Sequence, residues 1–186
     1  MSEILRNYTK ALYGMDAVVR RVPATNWDAD TPCEGWTASD LVAHAAGVLD
    51  AVTQMARTGE VAMPETPDVD GDPVAVWSSS RDDVLEALDH QDVLHRRGDY
   101  WFGEGTIEEI LAFSQWDTVL HGWDLGQAVG APPPTDQQLA QASFDVLEPM
   151  AGDLRGMGLM GEAVEVAADA DPMSRLLGLT GRDPAR

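Results

Sequence analysis

Basic residues are scarce in this chain. Twelve Lys and Arg face 32 Asp and Glu among its 186 residues, which gives a formal net charge of -20. A surface this acidic repels the phosphate backbone of nucleic acids and the headgroups of anionic membranes. The composition therefore argues against nucleic-acid and membrane partners.

Long apolar runs and cysteine pairs are also missing. No run of about 18 apolar residues is present, and the amino-terminal stretch MSEILRNYTK is polar where a signal peptide needs an apolar segment. The single cysteine, Cys33, rules out an internal disulfide and fits a reducing compartment. We therefore expect a cytoplasmic protein, and the chain length predicts one domain over residues 1–186.

The sequence is rich in helical periodicity with clear boundaries. Apolar residues three and four apart predict four main helices, at 3–21, 38–57, 74–91 and 106–128. The second and fourth begin with capping boxes, formed by Thr37 with Asp40 and by Thr106 with Glu109. A fifth helix is predicted from Thr135. We expect an all-α, up-and-down four-helix bundle with a fifth helix and a short irregular carboxy-terminal extension.

The fourth predicted helix carries two ionisable residues in its apolar stripe. Asp117 and His121 are four residues apart and therefore share one helix face. Burying a carboxylate there costs several kcal/mol unless it is paired, hydrogen-bonded or bound to a metal. On the second predicted helix, His44 lies between Leu41 and Val48 on the apolar face. Two His and one Asp could therefore converge between facing helices.

This pattern leaves two interpretations open. A buried Asp–His pair at positions i and i+4 can simply hydrogen-bond, and spacing alone favours that arrangement. The same three side chains could instead bind a divalent metal. Two His and one carboxylate are found at zinc sites and also at non-haem iron sites, so the ligand set does not name the metal.

Three segments together resemble a known family. They are TPCEGWTASDLVAHAAG at 31–47, DTVLHGWDLGQAVG at 117–130 and LLGLTGRDP at 176–184, and they are similar to the actinobacterial DinB-like family related to mycothiol-dependent maleylpyruvate isomerase. The resemblance implies a four-helix bundle that holds a divalent metal, usually zinc or nickel. It implies His44, Asp117 and His121 as the ligands. Asp117 stands where the isomerase has Glu, and its carboxylate remains a suitable oxygen ligand.

The resemblance also implies a reaction. Three protein ligands leave a position open for a low-molecular-weight thiol such as mycothiol, whose thiolate would attack a small electrophile. The isomerase has a further carboxy-terminal domain that this chain does not include, so we expect a transferase-like reaction in place of the specific isomerisation. The alternatives are a metal-binding or ligand-sensing bundle without turnover, and a metal-free structural bundle. A homodimer is compatible with each.

Several other residues carry weaker expectations. Trp116, Trp123 and Asp124 are candidates to contact a metal-bound His, although Trp123 is expected in the core and Asp124 as an ordinary polar neighbour. Arg81 is expected to be exposed near a helix start. Cys33 is expected to be a small buried packing residue, because free cysteines are among the most buried residue types.

Overall fold

The fold is a helical bundle with a small hairpin. The computed structural model describes residues 2–60, 62–69, 71–90, 92–100, 103–133 and 135–185, with the side chains of Asp99 and Tyr100 left out. Its helices are α1 (Glu3–Val19), α2 (Ala38–Thr58), α3 (Pro73–Leu88), α4 (Ile107–Ala128), α5 (Gln137–Leu147), α6 (Ala151–Gly156) and α7 (Pro172–Leu179). Strands β1 (Arg97–Tyr100) and β2 (Gly103–Thr106) pair antiparallel. The predicted all-α bundle is confirmed, and none of the described helices is long and apolar enough to cross a membrane.

Helices α1 to α4 form the bundle, and their directions follow from contacts between their ends. Arg57 and Glu86, near the carboxy-terminal ends of α2 and α3, are joined with Nη2 3.4 Å from Oε2. Trp77, in the first half of α3, donates from Nε1 to Asp16 near the end of α1. Helices α2 and α3 therefore run in the same direction. Helix α4 runs in the direction of α1, since an ideal Cβ on Gly122, in the second half of α4, would lie 3.6 Å from Met15 Cα near the end of α1. This refines the predicted up-and-down order, because the directions are up, down, down, up.

The connection between α2 and α3, residues 59–72, explains this order. An ideal Cβ built on Gly47 would lie 2.2 Å from the carbonyl oxygen of Glu65, so the connection packs directly on the middle of α2. Helix α2 has 21 residues and is about 30 Å long. An extended segment of this size can reach about 40 Å, enough to return along the whole helix. The chain can then start α3 beside the start of α2.

Helix α4 is buried on two sides. On one side it belongs to the bundle core, which includes Leu12, Leu41, Trp77, Ile107 and Leu111. On the other side Trp116 and Leu120 join a second cluster with side chains of α5 and α7, among them Phe144, Leu147 and Leu176. Because both faces are covered, the central helix has little solvent-exposed surface, and its polar side chains must find partners inside the protein.

The expectation of an exposed Arg81 is wrong. Its residue surface is 8% exposed, and its guanidinium bonds to Asp16 and to Asp82, with Arg81 Nη2 2.6 Å from Asp82 Oδ1. The indole Nε1 of Trp77 donates a second hydrogen bond to Asp16, at 3.2 Å. The buried carboxylate of Asp16 needs these partners, and this need draws the arginine inward.

Candidate metal centre

The three residues that the sequence analysis singled out meet between α2 and α4. His121 Nε2 lies 3.3 Å from Asp117 Oδ1, and His44 Nε2 lies 3.9 Å from Asp117 Oδ2. One nitrogen or oxygen from each residue lies within 4.8 Å of the other two. The spacing of four residues places Asp117 and His121 one above the other on α4, opposite His44. The convergence expected from the sequence is present in the structure.

Helix capping and an aromatic cover position the histidine on α2. The predicted capping box is formed, with the Thr37 backbone N donating to Asp40 Oδ2 at 2.9 Å, so α2 starts two turns before His44. Trp36, which precedes the cap, lies over the site. Its ring centroid is 4.8 Å from that of His44 and 5.9 Å from that of His121. The start of α2 therefore fixes both the ligand-bearing turn and the indole that shields it.

The geometry of Asp117 fits a metal ligand. Its Oδ2 atom is buried and has no hydrogen-bond partner among the described residues. Buried carboxylate oxygens are almost always satisfied by a donor or a cation. Nitrogen and oxygen ligands about 2.0–2.1 Å from a tetrahedral zinc lie about 3.3 Å from one another, close to the 3.3 Å and 3.9 Å found here. The three side chains could hold a divalent metal after small shifts.

The second ring nitrogen of His121 is also held in place. His121 Nδ1 lies 3.2 Å from Asp124 Oδ2, and Asp124 is 0% exposed. Arg182 donates to both oxygens of that carboxylate, from Nε at 2.8 Å and from Nη2 at 2.6 Å. A carboxylate that accepts the Nδ1 proton leaves Nε2 as the atom directed at Asp117. Asp124 is therefore more than the ordinary polar neighbour that we expected.

The charges of this cluster stabilise one another. Burial alone would lower the pKa of His121, but the charge of Asp117 and hydrogen bonds to Asp117 and Asp124 raise it well above its usual value. Burial would raise the pKa of Asp124, yet the hydrogen bonds from Arg182 bring it down to about 2. Burial lowers the pKa of His44 by more than the charge of Asp117 raises it. His44 is accordingly neutral at pH 7, the form that binds metals.

Cys33 has a polar environment that the packing interpretation did not anticipate. Its side chain packs against the bundle core, but its thiol also donates to Asp124 Oδ2 at 3.3 Å and lies 3.9 Å from His121 Nδ1. Cys33, His121 and Asp124 form a second group with ligand-like distances. Because Arg182 already occupies both oxygens of Asp124, this second group is poorly suited to a cation.

A cavity of about 790 Å³ opens beside these residues. One wall is a stripe of α2 and another is a stripe of α4. The α2 stripe consists of His44, Val48, Ala51, Val52 and Met55, and the α4 stripe consists of Ile110, Phe113, Ser114, Trp116, Asp117 and His121. Residues 32–34, 62–64, 158–161 and 180–182 close the remaining sides. A ligand of the histidine and aspartate cluster would thus have a formed cavity to occupy.

A comparison with protein families agrees with this geometry. The model of the mycothiol maleylpyruvate isomerase N-terminal domain matches residues 9–126, more than half of the chain. The chain belongs to this family. The matched region includes His44, Asp117 and His121, and it ends before Arg182. No curated protein and no solved structure matches the chain.

The sequence did not indicate that Arg182 belongs to the site. The residue lies in the segment LLGLTGRDP, which carried part of the resemblance, but nothing local connects it to Asp124 58 residues earlier. Trp123, which was expected in the core, is partly buried and packs against the second apolar cluster. Trp116 also belongs to that cluster, and its buried indole nitrogen has no partner among the described residues.

Proposed function

We propose that this protein binds one divalent metal ion through His44, Asp117 and His121. The observation that carries the proposal is the buried Asp117 Oδ2, which lacks a hydrogen-bond donor among the described residues and lies beside two imidazole nitrogens. Two nitrogens and one carboxylate oxygen suit zinc, which is our first choice, and the same donors accept nickel. Family membership supports a metal in general and does not choose between these two ions.

We propose further that the protein is a thiol-dependent transferase or isomerase that acts on small electrophiles. A divalent metal at this position favours the thiolate form of a bound low-molecular-weight thiol and so supplies a nucleophile. The family name makes mycothiol our candidate thiol. In a transfer reaction the thiol loses its proton, its sulfur forms a bond to carbon, and either a leaving group departs or a proton adds to the neighbouring carbon. In an isomerisation the same sulfur–carbon bond breaks again.

The residues of this chain have separate tasks in this proposal. Asp124 holds the Nδ1 proton of His121 and keeps Nε2 directed at the metal position. Trp36 covers both imidazoles and limits the access of water. Three protein ligands leave a coordination position for an exogenous ligand. The walls formed by α2 and α4 would hold the electrophile next to that ligand.

A metal-binding or ligand-sensing protein without turnover is the second candidate. This candidate is favoured because the ionisable groups near the cavity are already paired with one another. Asp117 lies against both histidines, and Arg182 is bonded to Asp124. Proton transfer to or from a substrate requires a group that can change its protonation state. Among the described residues of the cavity wall, Glu34 is the carboxylate that stands outside these pairs.

Elemental analysis of purified protein tests the metal site. We expect about one divalent metal ion per chain in the wild type and a loss of most of it in His44→Ala and His121→Ala. The control is His90→Ala, which removes an exposed histidine outside the cluster. Equal metal content in all four proteins, or none in wild type supplied with zinc and nickel, would contradict the proposed ligand set.

Turnover distinguishes the two candidates. Metal-loaded protein is supplied with mycothiol and an electrophile, and formation of the thioether or isomer is followed by chromatography. Product formation that disappears in His121→Ala supports the enzyme. Tight binding of metal and thiol without any product across a panel of electrophiles favours the sensing protein.

A further inference from the structure

The described part of the cavity wall offers a bound ligand no Arg or Lys that lacks a partner in the protein. Among the described residues of its wall, Arg182 is the one Arg or Lys side chain. Its Nε and Nη2 atoms bond to Asp124, and its Nη1 atom lies 3.4 Å from the carbonyl oxygen of Thr180. The two histidines of the wall already lie against Asp117. A ligand carboxylate would find Arg182 paired with Asp124 and both imidazoles already in contact with Asp117.

The rest of the wall is largely apolar and continues to the surface. Side chains of Val48, Val52 and Met55 line α2, and Ile110 and Phe113 face them from α4. Two further apolar residues of the wall are among the most exposed large hydrophobic side chains of the protein: Met63 is 62% exposed and Leu159 is 61% exposed. These two residues extend the apolar surface from the cavity to solvent.

Charge adds to this preference. Moving an ionised carboxylate from water to an apolar wall without a partner carries a large desolvation cost. The formal net charge of -20 opposes the approach of an anion before it reaches the cavity. The volume of about 790 Å³ lies within the range typical of small-molecule sites, so a molecule with an apolar body fits without rearrangement.

We propose that the cavity binds neutral, apolar electrophiles, such as uncharged conjugated esters or ketones, and discriminates against carboxylate substrates. The reactive carbon lies at the end of the cavity formed by His44, Asp117 and His121. The apolar body of the substrate lies along the stripes of α2 and α4. The part that concerns reaction rests on the proposed function, whereas the selectivity of binding does not.

Equilibrium dialysis with a matched ligand pair tests this selectivity. Methyl cinnamate and cinnamate share one skeleton and differ in the charge of the end group. We expect the ester to bind at least about tenfold more tightly than the acid at pH 7.5, both in the purified protein and after treatment with a chelator. Measuring both samples separates the cavity preference from any direct bond between a carboxylate and a metal. Binding of the acid as tight as that of the ester in either sample overturns the proposal.

Two variants on α2 locate the selectivity. Val48→Lys places a cation in the cavity wall, and Gln54→Lys adds the same charge at an exposed position of the same helix. We expect Val48→Lys to shift the ester-to-acid affinity ratio at least about tenfold toward the acid, and Gln54→Lys to leave that ratio within about twofold of wild type. An unchanged ratio in folded Val48→Lys overturns the proposal.

Leu159→Ser tests the exposed rim without disturbing the core, and its expected result is weaker ester binding. Unchanged ester affinity in Leu159→Ser counts against the extension of the binding surface to the rim.

These measurements separate the inference from the proposed function. A protein that prefers the ester but never forms product retains the binding inference and loses the enzymatic proposal. A protein that turns over mycothiol with carboxylate electrophiles in preference to their esters retains the enzymatic proposal and loses this inference.

Discussion

Arg182 and Asp124 form a two-pronged ion pair in the interior of the protein. Arg182 Nε lies 2.8 Å from Asp124 Oδ1, and Nη2 lies 2.6 Å from Oδ2. The same Asp124 carboxylate accepts the Nδ1 proton of His121. Arg182, from the segment after α7, therefore neutralises Asp124, and Asp124 orients the proposed ligand His121 on α4. Stability and site geometry depend on one contact.

Arg182→Met should destabilise the protein strongly, by about 3–5 kcal/mol, because it leaves the fully buried Asp124 without its counter-charge. The free energy of unfolding in urea measures this loss, in protein treated with a chelator so that metal binding does not contribute.

The matched control is Arg97→Met, which removes an exposed pair with Glu104 on the hairpin and should cost less than about 1 kcal/mol. Adding Asp124→Asn to Arg182→Met should recover part of the lost stability, since the uncompensated charge is then gone. A cost for Arg182→Met no larger than that for Arg97→Met would show that the buried pair is not needed.

Asp124→Asn should weaken metal binding by about 10–100-fold, because His121 loses the carboxylate that fixes its ring orientation and raises its basicity. Competition with a chromophoric chelator gives the affinity. Asp50→Asn, an exposed change of the same type on α2, should leave the affinity unchanged. Equal affinities in Asp124→Asn and wild type would remove Asp124 from the metal site.

Gly47→Ala and Gly14→Ala should have opposite effects on stability. A Cβ at Gly47 would lie 2.2 Å from the backbone oxygen of Glu65, whereas a Cβ at Gly14 meets nothing within 4 Å. Both residues are inside helices, where Ala is intrinsically favoured by roughly 0.5–1 kcal/mol. We expect Gly14→Ala to stabilise by up to that amount and Gly47→Ala to destabilise by about 1–3 kcal/mol through crowding. Thermal melting compares them, and stabilisation by both would contradict the close packing of Glu65 on α2.

The charge of Asp171 should contribute to stability at neutral pH and lose that contribution in acid. Asp171 caps α7, and hydrogen bonds from the Ser174 side chain and from backbone N–H groups lower its pKa. A lowered folded-state pKa means that the contribution is complete above the ordinary value of about 4 and disappears as the pH falls through the folded-state value.

Asp171→Asn keeps a good capping residue and removes only the charge. The wild type should therefore exceed Asp171→Asn by a few tenths of a kcal/mol at pH 7, after allowance for solvent screening, and by less at pH 3. Melting at both pH values measures the difference, and Asp169→Asn, an exposed position that caps no helix, is the control. A difference that grows toward acid would reverse the expected sign.

Local chemistry made much of this fold predictable. The capping box at Thr106 and the Gly130 stop bounded the fourth helix at 106–128, and α4 runs from Ile107 to Ala128. Periodicity placed Asp117 and His121 on one face, and that face meets His44. Helix caps and apolar periodicity depend on residues within one or two helical turns, so they can be recognised in the sequence itself.

Long-range pairings were not predictable in the same way. Nothing near Arg81 in the sequence indicates Asp16, and nothing near Asp124 indicates Arg182, because each pair forms only after distant elements pack. The direction of α3 depends on the path of the connection between α2 and α3. The prolines and acidic residues of that segment indicate that it is exposed, but they do not indicate its path. Strands β1 and β2 are short and Gly-rich, and their sequences lack a clear alternation of apolar and polar residues.

The pairing of Asp124 with Arg182 also sets an order of events during synthesis. A ribosome that adds roughly 5–20 residues per second produces Asp124 several seconds before the arginine that neutralises it, because 58 residues separate them. Helices α1 to α4 can therefore assemble while their central carboxylate still depends on water for its solvation. The ion pair that holds the partner of His121 can form only after Arg182 has been synthesised.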